Sequence, residues 1–198
     1  MKTLQKLKDH LRPGKVYRRE ELTKWSTSVD RHLKELVTSG ELKKLSGGLY
    51  YCPKPTAFGN APAADEDLVG AFLKDTRFLL TSSNAYNALG VGATQLYNET
   101  IVYNHKRHGQ FSLGGRVFDF RIKPSFPKSP TREFLLVDLV NNIDRLAEER
   151  REVLDRVKKL AADFDEGRLS RAVHRYGSVR ARKFFDALGT QESSLNAR

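Results

Sequence analysis

Residues 16–53, VYRREELTKWSTSVDRHLKELVTSGELKKLSGGLYYCP, decide how this chain reads. A short helix is expected from Arg19 to Trp25, opened by Glu20 and Glu21, whose charge suits the positive end of a helix dipole. It ends at Ser26-Thr27-Ser28. A second helix is expected from Val29 to Ser39, with Val29, Leu33, Leu36 and Val37 on one apolar stripe. Ser28 is its expected N-cap and Gly40 its left-handed terminator. Two short runs, Glu41 to Leu45 and Leu49 to Cys52, then flank the turn Ser46-Gly47-Gly48. Helix, turn, helix and hairpin in so short a span predict a winged helix-turn-helix, an arrangement that lays one helix in a DNA major groove.

Ahead of this stretch, Leu4, Leu7 and Leu11 recur at helical spacing until Pro13-Gly14 stops them. Behind it, residues 54–64 are proline-bearing and almost uncharged, which predicts a linker. Asp65-Glu66-Asp67 open a helix through Leu73. Phe78-Leu79-Leu80 is a short apolar run, and Ser82-Ser83 is expected to cap a small helix ending at Leu89-Gly90. Thr100 to Asn104 and Arg116 to Ile122 read as strands, the second alternating Val117, Asp119 and Arg121 against Phe118, Phe120 and Ile122. Gly114-Gly115 makes a hairpin between Phe111-Ser112-Leu113 and Arg116. From Thr131 the pattern is helical: Thr131 to Asp144, Ala147 to Phe164, Arg168 to Tyr176 and Val179 to Leu188. The expected fold class is therefore α+β. Residues 1–53 form the winged helix-turn-helix and 54–64 the linker. Residues 65–190 form a C-terminal mixed domain, a small antiparallel sheet followed by a helical part, and 191–198 a flexible tail.

Charge points the same way. The chain has 35 Lys and Arg against 24 Asp and Glu, a net +11. Residues 1–55 hold 13 of those cations and 6 of the anions, so the excess gathers where the motif lies, as expected of a phosphate-binding module. No apolar run is long enough to span a bilayer, and the N-terminal stretch lacks a signal-peptide core. A single cysteine excludes an intramolecular disulfide, and together these features predict a cytoplasmic protein.

If the motif binds DNA, base reading falls to the start of its second helix. Ser26, Thr27, Ser28, Arg31 and Lys34 are the candidates, and Arg31 has the reach for a bidentate contact to guanine. Asp30 is awkward in a groove, and is expected to orient Arg31 or face His32. Arg18, Arg19, Lys43 and Lys44 read as phosphate clamps. Trp25 and Tyr17 read as core or hinge residues. Toward the C-terminus, Arg171, Arg175, Arg180, Arg182 and Lys183 form a second basic cluster, suited to an acidic protein surface, tRNA or further DNA backbone.

Catalytic chemistry is not legible. His105 and His108 lack the companions of a metal cage, and Cys52 reads as a packing residue. Gly90-Val91-Gly92 is not followed by the Lys-Ser/Thr of a phosphate loop. Asp163-Phe164-Asp165 sits at a helix end. No catalytic residue, metal or cofactor is expected, and the chain does not read as an enzyme.

The layout also resembles the AbiEi-type antitoxins of bacterial type IV toxin–antitoxin systems, which are linked to abortive phage infection. Three segments carry the likeness: Gly48-Leu49-Tyr50-Tyr51-Cys52-Pro53 closing the wing, the run from Phe78 to Leu89-Gly90, and Gly115-Arg116-Val117-Phe118-Asp119-Phe120 with Ile122 after it. The resemblance covers residues 1–190. It implies a repressor that binds inverted repeats in its own promoter, as a dimer or as cooperating monomers. It also implies an antitoxin that opposes a nucleotidyltransferase-like toxin encoded beside it, with or without direct contact. The alternative reading is a stand-alone winged-helix regulator whose C-terminal domain senses a ligand or dimerises.

Overall fold

The structure, a computed structural model, describes residues 2–90 and 97–195. Its elements in chain order begin α1 (Lys2–His10), β1 (Val16–Arg18), α2 (Arg19–Leu22) and α3 (Val29–Thr38). Next come β2 (Lys43–Ser46), β3 (Leu49–Tyr51), β4 (Lys54–Thr56), β5 (Gly59–Ala61), α4 (Asp65–Leu73) and β6 (Phe78–Thr81). Strands β7 (Thr100–Asn104), β8 (Gly109–Leu113) and β9 (Arg116–Ile122) follow. The chain ends in α5 (Arg132–Asn141), α6 (Arg150–Ala161), α7 (Glu166–Tyr176) and α8 (Val179–Leu195). The fold is mixed α+β with small antiparallel sheets. Among the described residues no helix is long and apolar enough to cross a membrane.

The chain divides into two compact units. The first runs to Phe78 and takes in Lys106–Phe120; the second holds Leu79–His105 and the chain from Arg121 onward. In the first, Leu7, Leu22, Val29, Leu33, Leu36 and Leu42 form a core, with Leu4, Leu11 and Val37 partly buried around it. Each of the apolar stripes read from α1 and α3 thus contributes, because helical spacing brings its members to one side. The Tyr17 hydroxyl ties off α1, accepting from the Arg12 N–H at 2.7 Å and donating to the His10 carbonyl at 3.2 Å. Gly40, at φ 79°, turns the chain out of α3, and the Leu42 N–H returns to the Leu36 carbonyl at 3.0 Å. Strand β3 pairs antiparallel with both β1 and β2, Tyr51 lying opposite Val16 on one side and Lys43 on the other.

Residues 54–64 differ from the expected linker. They carry the β4–β5 hairpin, in which Pro55 faces Asn60. Proline cannot donate to a ladder, but an exposed two-stranded one is all edge and accommodates it. The Tyr51 hydroxyl anchors the hairpin at the Ala61 carbonyl, 2.8 Å away, and the Thr56 hydroxyl closes the turn on the Gly59 carbonyl at 2.6 Å. Phe58, at the tip, stands wholly in solvent.

The expected boundary between residues 1–53 and 65–190 also differs from the compact units. Helix α4, β8 and β9 as far as Phe120 all belong with the N-terminal elements. The Gly114 N–H donates to the Leu45 carbonyl at 3.0 Å, and a Cβ on Gly114 would press on the Leu45 side chain at 3.3 Å. Phe72 of α4 packs on Phe111 and Phe120, ring centroids 4.9 and 5.2 Å apart. Arg116 donates to the Ala63 carbonyl and pairs with Asp65, each at 2.5 Å.

The second unit is arranged around α5. Residues Phe134 to Val140 are all buried, among them Asp138, fully removed from solvent. Its carboxylate accepts from the Tyr86 hydroxyl at 2.9 Å, the Tyr103 hydroxyl at 2.8 Å and Lys123 Nζ at 2.5 Å. Asn142 Nδ2 donates to both tyrosine oxygens, at 3.2 and 2.9 Å, and its Oδ1 accepts from Arg121 at 3.0 Å. Arg121 also faces Glu99 at 3.7 Å. The alternation expected along β9 therefore fails: Asp119 and Arg121 are buried, while Ile122 is exposed. Helices α6, α7 and α8 supply Val153, Val157, Ala172, Val173, Ala181 and Phe185 to the same core. Helix α8 runs on to Leu195 where a frayed tail was expected from residue 191; residues 196–198 lie outside the described residues.

Burial, and then the charge of Asp138, push the Tyr86 and Tyr103 hydroxyls well above the ordinary tyrosine value of 10.0. A group whose folded value is raised contributes stability that is whole below its unfolded value and is lost as pH rises through the folded one. Urea unfolding between about pH 9 and about pH 11 should therefore show stability falling, by up to about 1.4 kcal/mol per pH unit for each tyrosine. The Tyr86→Phe/Tyr103→Phe chain should lose much of that slope; an unchanged slope shows that the hydroxyls are not held neutral by this cluster. Asp138→Leu should cost about 3–5 kcal/mol at neutral pH, because it leaves Lys123 and two hydroxyls without their acceptor.

Candidate nucleic-acid interface

In the first unit the start of α3 opens onto a cleft of about 430 Å³ lined by Arg19, Thr23, Ser26, Thr27, Ser28, Val29, Asp30 and Arg31. Five of the candidate residues, Arg19, Ser26, Thr27, Ser28 and Arg31, are thus brought together. Local chemistry explains the geometry. Ser26 ends the turn that follows α2 in extended backbone, and Val29 and Leu33 pull the next helix onto the core. The Arg19 N–H donates to the Gly48 carbonyl at 2.8 Å, which sets the β2–β3 turn beside the start of α2.

The individual roles differ from the expected ones in four respects. Ser26 is buried and faces inward: its hydroxyl bonds His32 Nδ1 at 2.7 Å and accepts from the Ser28 N–H at 3.2 Å. It is therefore not free to reach a base edge in the way expected. Ser28 occupies the N-cap position of α3 without making a side-chain cap bond, and its own N–H donates to Ser26 Oγ. Asp30 turns to Arg19 rather than to Arg31 or His32, accepting Nε and Nη2 at 2.6 Å each. Arg18 is likewise engaged. Glu21 accepts both its N–H, at 3.0 Å, and its guanidinium, at 2.6 Å, which fastens the first turn of α2.

What remains open on α3 is Arg31 and Lys34, exposed with Glu35 and Thr38 on the same outer side. Lys43 and Lys44 are exposed on β2, and Lys43 lines a separate cavity of about 210 Å³ with Tyr51, Asn60 and Arg116. Trp25 stacks on His10 with ring centroids 3.4 Å apart. His32 is the residue that sequence reading passed over. It is buried, and Arg31 Nη2 lies 3.4 Å from its Nε2. The signal for it was present, since His32 follows Val29 by three and precedes Leu36 by four, on the apolar stripe.

The C-terminal basic cluster spreads over α7 and the start of α8. Arg171 and Lys183 are exposed. Arg180 pairs with Asp144, Arg182 donates to the His174 carbonyl at 2.8 Å, and Arg175 reaches Ser125 Oγ at 3.4 Å. Three of the five are therefore partly engaged in holding their own unit together. Gly177 makes the bend between the two helices, where a Cβ would collide with the Val173 carbonyl.

The remaining candidates take structural positions. His105 stacks on Phe126 at 4.7 Å, and Asp165 caps α7 by accepting from the Arg168 N–H at 2.7 Å. Cys52 is half-buried, and burial, aided by the charge of Glu41, pushes its thiol up. Gly90 ends its short helix at φ 72°, while Gly92 lies outside the described residues.

No family model matches the chain, and no curated protein matches it either. Among solved structures it is similar to the crystal structure of the RV2827C protein from Mycobacterium tuberculosis. The TM-score is 0.55 at 17% identity, covering 94% of this chain and 75% of that one. At this identity the likeness is one of fold.

The Arg19–Asp30 pair yields a direct test. The two-point hydrogen bond from Arg19, and then its charge, hold the Asp30 carboxyl below the ordinary aspartate value of 3.8. Because the folded value is depressed, the pair is intact above the ordinary range and opens as pH falls through the depressed value. Carboxyl-carbon NMR should find Asp30 titrating low in the parent and normally in Arg19→Ala. Identical titration in both chains shows that the pair does not form.

Proposed function

We propose that the first unit is a winged helix-turn-helix that binds double-stranded DNA through the start of α3. The observation that carries this reading is the open cleft where Thr27, Ser28 and Arg31 meet beside Arg19, which is in turn tied to the β2–β3 turn. A groove-entering helix presents its N-terminal residues to base edges while a neighbouring hairpin contacts the backbone. Arg31 and Lys34 are the side chains available for such reading; Thr27 and Ser28 carry hydroxyls suited to phosphate or base contacts. Lys43 and Lys44, exposed on β2, supply sequence-independent attraction, which weakens with salt. Arg18 and Arg19 act instead as struts, since Glu21 and Asp30 already neutralise them.

The wider role follows from the resemblance to the AbiEi-type antitoxins. The chain represses its own operon at promoter inverted repeats and counteracts a nucleotidyltransferase-like toxin. The three segments behind that likeness lie at the end of β3, at β6 with the short helix after it, and along β9. A second reading has its own support. A groove of about 530 Å³ between α6 and α8, with Leu154, Phe184 and Leu188 among its lining and Arg150, Arg151 and Lys158 around them, is of a size that holds a small ligand. That feature favours a regulator whose second unit senses a metabolite.

Two measurements on the full chain separate these readings. Electrophoretic retardation of the duplex upstream of its own coding sequence should be lost in Arg31→Ala/Lys34→Ala; equal retardation by parent and variant rejects the placement of the DNA-contacting helix. Co-expression with the protein encoded beside it should restore growth, and the same double variant should keep that activity. Failure to restore growth rejects the antitoxin role and leaves the regulator.

A further inference from the structure

The pairing of His32 with Arg31 deepens the DNA reading and rests on it. The imidazole is buried on the core side of α3, and its Nδ1 is 2.7 Å from Ser26 Oγ. Its other ring nitrogen, Nε2, lies 3.4 Å from Nη2 of Arg31, a residue that lines the cleft at the start of α3. Arginine is donor-only, so a guanidinium at Nε2 requires a lone pair there. The ring proton must then sit on Nδ1 and be given to Ser26 Oγ. That oxygen also accepts from the Ser28 N–H, so both of its acceptor sites are filled and its own proton is left to donate. A single arrangement of protons satisfies the whole chain of contacts.

We propose that His32, locked by Ser26, is a positioning residue that holds the Arg31 guanidinium at its Nε2, so that Arg31 reads a guanine edge bidentately. A long arginine free to sweep contacts phosphates without regard to sequence. A guanidinium tethered at one nitrogen has fewer orientations left to lose on meeting a base, and its planar fork matches the O6 and N7 acceptors of guanine. Asp30 contributes by its engagement elsewhere. Its carboxylate sits on Arg19, which leaves Nε2 of His32 as the acceptor nearest in sequence that Arg31 actually meets.

The test is selection from a pool of randomised duplexes with the full-length parent, Arg31→Ala, His32→Phe and Ser26→Ala. The parent should enrich a motif containing guanine at a position that Arg31→Ala no longer specifies. His32→Phe keeps a ring in the core but offers no lone pair; it should lose preference at that same position by at least about fivefold, the lower bound for a bidentate pair. Its affinity for an unrelated duplex should stay within about twofold of the parent, since no phosphate-contacting charge is removed. Ser26→Ala, which frees the tautomer, should shift preference in the same direction, and it carries the test if His32→Phe does not fold. His32→Gln, which returns an acceptor, should recover part of the preference. A parent that selects no motif and shows no salt-dependent retardation overturns the DNA reading itself. A motif unchanged by Arg31→Ala overturns the role of Arg31. A motif changed by Arg31→Ala but kept by both His32→Phe and Ser26→Ala overturns the tether alone.

Discussion

A carboxylate shut away from water sets the terms for the second unit. Asp138 lies within seven consecutive buried residues of α5, and an ionised group in that position is tolerated only with partners on every side. Tyr86, Tyr103 and Lys123 supply them, from a short helix, a strand and the segment after β9. Asn142, one turn along, locks both hydroxyls, and Arg121 locks Asn142. Apolar packing alone is permissive about how α5 is rotated. Three directional bonds to one buried group are not, so the polar cluster fixes which residues face α6, α7 and α8.

The first unit uses its charges differently. Its surplus of cations is partly silenced by intramolecular acids: Arg18 by Glu21, Arg19 by Asp30, Lys8 by Glu41 and Lys74 by Glu20. Such exposed pairs add little stability each. Their larger effect is on shape and on field. They pin the first turn of α2 and the first turn of α3 while leaving Arg31, Lys34, Lys43 and Lys44 as open positive groups. The net charge of the sequence therefore does not show which cations face an acid of their own chain.

Local order was legible where it depends on neighbours in sequence. The stripe Val29-Leu33-Leu36, the stop at Gly40 and the turn at Gly47-Gly48 all sit where spacing and backbone preference put them. Contacts between distant residues were not. Tyr86 and Asp138 are separated by 52 positions, and Gly114 meets Leu45, so nothing in local periodicity announces either. Prolines at 53, 55 and 62 suggested a linker because proline excludes most regular structure, yet an exposed two-strand ladder needs few of the N–H groups that proline lacks. In the candidate site the sequence shows only residue types, basic and hydroxylic. Their division into struts and free groups depended on which acid each arginine meets, and that is a tertiary property.

The return of residues 106–120 to the N-terminal elements has a consequence for how the protein is made. A ribosome releases the chain in order, and domains tend to fold as units once complete. Here the first unit lacks β8, and the ring partners of Phe72, until Phe120 has been synthesised. All of Leu79–His105 must therefore emerge while the earlier elements wait unfinished. No single cut in the polypeptide liberates either unit intact, so evolution cannot readily shuffle the amino-terminal half as a detachable cassette.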